Sequence, residues 1–81
     1  MTVKVKMWDV LMGAQRQGNR CMVARAIHRA DPALSWVNVG TTLADAGGQT
    51  YVLPELAVAK IRRWDLGHFV WPFSFQLTRS L

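Results

Sequence analysis

The stretch SWVNVGTTLADAGGQTYVL, residues 35–53, decides the fold. Val37 and Val39 alternate with Trp36 and Asn38, which predicts a strand over residues 35–42 with one apolar face. Asp45-Ala46-Gly47-Gly48 then reads as a turn, and residues 49–53 return as the paired strand of a hairpin. A hairpin in the middle of a chain whose flanks show helical spacing predicts an α+β domain.

On the N-terminal side, Val23, Ile27 and Ala30 recur at the spacing of one helix face, with Ala24 and Ala26 beside them. A helix over residues 20–30 follows, with Asn19 as its N-cap and Asp31-Pro32 as its end. Arg25 and Arg29 fall one turn apart on its outer side. Before it, residues 14–19 read as a polar loop. Asp9 suits the N-cap of a short helical turn over residues 10–12, stopped by Gly13. At the start, Val3, Val5 and Met7 alternate with Lys4, Lys6 and Trp8, as in a strand over residues 3–7.

On the C-terminal side, Pro54 and Glu55 suit the first turn of a helix over residues 54–66. Ala57, Ile61 and Trp64 make its core stripe, helped by Val58, while Lys60, Arg62 and Arg63 point outward. Gly67 is its natural stop. Phe73, Phe75 and Leu77 alternate with Ser74 and Gln76, and Pro72 precedes them where a missing donor does least harm. The expected order is β-α-α-β-β-α-β, in one domain spanning residues 1–81. Residues 3–7, 36–42, 50–53 and 73–77 are expected in one antiparallel or mixed sheet, with both longer helices on one face.

The chain has 81 residues, ten Lys and Arg against five Asp and Glu, and a formal net charge of +5. Half of it is apolar, which excludes a disordered charged tail. Domains of this size bury a small fraction of their surface. A cleft of roughly 300 Å³ or more, which an enzyme usually needs, is not expected of so thin a core. Binding is therefore the expected activity, not catalysis, and no cofactor is expected. A lone Cys21 allows no internal disulfide and fits a reducing compartment. The opening MTVKVK alternates charge and apolar residues, unlike a signal peptide, and no apolar run approaches the roughly 20 residues of a membrane span. The expectation is a cytoplasmic protein with no membrane partner.

No constellation points to chemistry. Cys21, His28 and His68 are the one conceivable metal set, but they lack the spacing of a zinc site. Cys21 and His28 lie two helical turns apart, too far for a nucleophile and its base within one helix. Gly47-Gly48 lacks the Lys-Ser/Thr of a phosphate loop. The acids mostly suit helix ends and turns. The basic residues read equally as a binding surface and as solvated charge that keeps a small apolar domain soluble. Arg16, Arg20, Arg25 and Arg29 gather on and before the middle helix, and Lys60, Arg62 and Arg63 on the last. If both helices pack on one side, Arg25, Arg29, Arg62 and Arg63 form one cationic face able to attract phosphates or an acidic protein. Of the four tryptophans, Trp8, Trp36 and Trp64 are expected in the core. Trp71, beside Phe69 and Pro72, falls outside a clean pattern and is expected exposed, where a tryptophan makes a strong contact residue.

Taken together, Cys21-x-Val23-Ala24-x-Ala26-Ile27, Leu53-Pro54, Ile61-Arg62-x-x-Asp65-x-Gly67 and Pro72-Phe73-x-Phe75-x-Leu77 resemble a family of small single-domain bacteriophage proteins. The resemblance spans most of the chain, and its motifs are structural. It departs at Met22, where such proteins often place a proline after the cysteine. Proteins of this kind include anti-CRISPR proteins, which act stoichiometrically on host effector complexes. The resemblance thus implies a phage-encoded inhibitor acting in the host cell, whose partner is a host protein or ribonucleoprotein of the Cascade type. The implied action is to block DNA recognition, and no functional residue carries over. At net +5 the chain is no acidic imitation of DNA. The second reading is a basic nucleic-acid-binding accessory or regulatory protein.

Overall fold

A computed structural model describes residues 1–80. Its elements run β1 (Thr2–Val5), α1 (Met7–Met12), α2 (Met22–Ala30), β2 (Val37–Val39), β3 (Leu43–Ala46), β4 (Gln49–Val52), α3 (Glu55–Asp65), β5 (Phe73–Gln76) and β6 (Thr78–Arg79). The α+β class and the approximate order agree with the sequence.

The central hairpin is a three-strand meander instead. Residues 40–42 turn the chain, closed by the Gly40 N–H donating to Leu43 O at 2.8 Å. Leu43–Ala46 is then a strand of its own, with Ala44 and Ala46 fully buried on one face. The turn contracts to Gly47-Gly48, both at positive φ (56° and 85°), as the tightest hairpins require. Asp45 lies in β3, where it accepts the Thr50 hydroxyl across the ladder at 2.7 Å. Thus β3 separates the two strands expected to pair.

The expected single sheet is also divided. β1 pairs antiparallel with β5, and β2-β3-β4-β6 form a second antiparallel sheet. One extended segment links them. Phe73–Gln76 faces β1, and after Leu77 the chain continues as β6 against β4. Leu77 is buried at this crossing, and its N–H donates to Met1 O at 2.8 Å. Changing partners mid-strand lets both sheets wrap one small core.

α2 is the central element and touches β1, α1 and β2. Its face of Met22, Val23, Ala26 and Ile27 is buried completely or nearly so. Its cap differs from expectation: Cys21 Sγ, not Asn19, accepts the Ala24 N–H, at 3.4 Å. α3 buries Ala57, Ile61 and Trp64. The Trp64 indole donates to Val10 O at 3.1 Å, which ties the end of α3 to α1. No helix among the described residues is long and apolar enough to cross a membrane.

Candidate functional site

The four arginines expected to share one face do not share a groove. Arg25 and Arg29 line a groove with Asp9, His28 and Trp36, whereas Arg62 lines two clefts that include none of these residues. The reason lies in Asp9. Helix α1 begins earlier than expected, with Lys6 as its N-cap, so Asp9 stands in the first turn and accepts the Lys6 N–H at 2.9 Å. That geometry turns the carboxylate inward, where it is 0% exposed.

A buried carboxylate must be paired. Arg29 supplies a two-point bond, Nη1 to Oδ1 at 2.7 Å and Nη2 to Oδ2, and its Nη2 also donates to Lys4 O at 2.7 Å. Arg25 Nε lies 3.6 Å from the same carboxylate. Burial opposes the charged form of Asp9. The hydrogen bonds from Arg29 and Lys6, with the charges of Arg29 and Arg25, outweigh it and hold Asp9 below its ordinary value. Arg29 is pushed up by the same partner. Arg29 thus clamps α2 to α1 and the end of β1, with Arg25 standing beside the same carboxylate, while both side chains stay more than a third exposed.

Arg62 and Arg63 are different. Both are exposed on the last turn of α3, and the ion pairs found among the described residues all belong to Asp9. Two bonds end the helix just beyond them: Gly67 N–H donates to Trp64 O at 3.0 Å and His68 N–H to Arg63 O at 3.1 Å. This pattern reverses the chain in a fixed direction. Leu66, Phe69 and Trp71 then emerge 68%, 52% and 70% exposed, while Val70 between the aromatics is buried and anchors the segment. Phe69 and Trp71 pack edge to face with centroids 5.1 Å apart. An edge-to-face pair holds both rings in place without a core around them.

The remaining tryptophans divide unevenly. Trp64 is buried as expected, but Trp8 and Trp36 are exposed, against expectation. Trp8, Leu11 and Met12 form one apolar face of α1 turned to solvent, because Asp9 and Val10 take the inner side. The signal was in the sequence. Helical spacing through Trp8, Leu11 and Met12 competes with strand alternation through Trp8, and the strand reading hid it. Leu66 and Phe69 were missed because only Trp71 stood outside a pattern.

Cys21 is buried and its thiol is pushed up by burial, with backbone hydrogen bonds opposing. Cys21, His28 and His68 do not gather into a metal-binding set among the described residues. The chain does hold a cleft larger than its thin core suggested, about 340 Å³ between residues 16–18, the end of β2 and α3. No family model, curated protein or solved structure matches the chain.

Proposed function

We propose that this chain is a stoichiometric binding protein that covers a surface on a larger assembly. The specific form of the proposal is a phage-encoded inhibitor of a nucleic-acid-targeting defence complex of the Cascade type. The observation that carries the binding role is the tip beyond α3, where the Phe69–Trp71 pair stands in solvent a few residues after Arg62 and Arg63, which are exposed and have no ion pair among the described residues. Contact residues of high energetic weight are enriched in tryptophan, tyrosine and arginine, and this tip combines two of the three. Its charge suits an acidic or mixed protein surface. The phage origin and the target rest on the resemblance of the sequence motifs alone.

The test uses purified Cascade-type complex loaded with guide RNA, with the tagged chain as titrant. Saturable one-to-one binding that Trp71→Ala weakens by about thirtyfold supports the proposal. Failure to bind any such complex, together with tight binding of RNA or duplex DNA that falls steeply with salt, replaces it with the nucleic-acid reading.

A further inference from the structure

The cleft beside α3 shares Arg62 and Leu66 with the edge of that tip but contains neither Phe69 nor Trp71, and it forms a separate site. Its volume of about 340 Å³ lies at the small end of ligand pockets. The most buried residues of its lining are Cys21, Ile61 and Val39, with Val58 half-buried beside them. Arg16 and Arg62 also line it, and neither guanidinium has an ion pair among the described residues. Asp65 is the acid in the lining. Its Oδ1 is engaged by the Arg16 N–H at 3.0 Å.

The walls are fixed before any ligand arrives. Arg16 sits at φ 62°, a conformation that costs a non-glycine residue energy and persists only where neighbours enforce it. Asp65 holds it from α3, and the adjacent Gln15 side chain donates to Trp64 O at 2.6 Å. On the other side Gly18 O accepts the Val39 N–H at 2.8 Å. A Cβ at Gly18 would lie 2.7 Å from the backbone Val39 O, so a side chain there would push this strand away. The loop is thereby pinned to α3 and to β2 at once. A preformed cleft binds without the cost of ordering its walls.

We propose that this cleft binds a short aliphatic carboxylate, its tail on Val39, Val58 and Ile61 and its carboxylate held by Arg16 and Arg62. Arginine suits that head group because its planar fork meets both carboxylate oxygens. A free short fatty acid and the C-terminal residue of a peptide ending in leucine share this chemistry.

The experiment follows amide shifts of the full isotope-labelled chain during titration. The probes are octanoate, octanol, an acetylated Ala-Ala-Leu peptide and the same peptide as its C-terminal amide. The expected result is saturable shifts at Gly18, Gly40 and Thr41 with a carboxylate probe, and about tenfold weaker binding by its uncharged counterpart. Arg16→Gln weakens the carboxylate by about tenfold, and Arg63→Gln, outside the cleft, leaves it unchanged. Tighter binding by octanoate assigns the free fatty acid, and tighter binding by the peptide acid assigns the chain terminus. Absence of saturable shifts with either carboxylate, or equal affinity for the uncharged probes, or full affinity in Arg16→Gln, overturns the proposal. None of these outcomes bears on the Phe69–Trp71 tip, which is tested by a different partner and a different variant.

Discussion

Helices α2 and α3 each carry two arginines close together, and the fold uses them in opposite ways. On α2, Arg29 and Arg25 converge on a carboxylate that no water reaches. On α3, Arg62 and Arg63 are exposed in the last turn before a segment that carries an exposed aromatic pair. Counting charges makes the two pairs equivalent. The difference comes from one acid, Asp9, far away in sequence and adjacent in space. A basic residue is free for a partner only when the fold has not already given it one.

The largest effect that can break this comparison is charge reversal on α2. Arg29→Glu sets a second carboxylate against buried Asp9, and the protein should not fold, as circular dichroism will show. Changing Arg25 and Arg29 together to Glu should likewise prevent folding. Next comes Trp71→Ala, which should reduce partner affinity by about 2 kcal/mol while leaving the melting transition in place. Asp9→Ala should cost about 2 kcal/mol in denaturant unfolding. That is less than the loss of Arg29, because both arginines can turn to solvent once the acid is gone.

The acid limb sharpens the same contrast. The folded state holds Asp9 below its ordinary value, so its contribution is complete above the usual carboxylate range. It is lost as pH falls below about 4 through the lowered value of the folded state. Asp9→Asn should remove that part of the pH dependence, measured as denaturation midpoint against pH, whereas Arg63→Gln should leave it intact. The smallest effect belongs to Cys21→Ser. Serine is the stronger N-cap for the Ala24 N–H, and it forfeits a buried apolar contact, so the net change should stay within about 1 kcal/mol.

Local patterns carried most of the fold. The stripe of Ala57, Ile61 and Trp64, the face of Val23 and Ile27, and the alternation of Phe73 and Phe75 all appear where periodicity put them. Boundaries failed where two patterns overlapped. Met7 and Trp8 continue the alternation of β1 and also begin α1. Leu43 to Ala46 is a short strand that the Asp45 turn signal masked. The partition into two sheets was not legible, because strand partners depend on long-range contacts that alternation does not encode. Of the candidate site, Trp71 was legible as an orphan aromatic. The clamp was not: an aspartate near a helix start reads as a cap, and only the shift of α1 to Met7 turns its side chain inward.

The central claim is that α2 carries structural cations and α3 free ones. Urea unfolding of Arg29→Gln and Arg63→Gln, measured side by side with the parent chain, tests it most directly. Arg29→Gln should lose about 3 kcal/mol, since it leaves Asp9 buried with only Arg25 nearby. Arg63→Gln should stay within about 0.5 kcal/mol of the parent. Equal losses in the two variants, or a stable Arg29→Gln protein, would contradict the account.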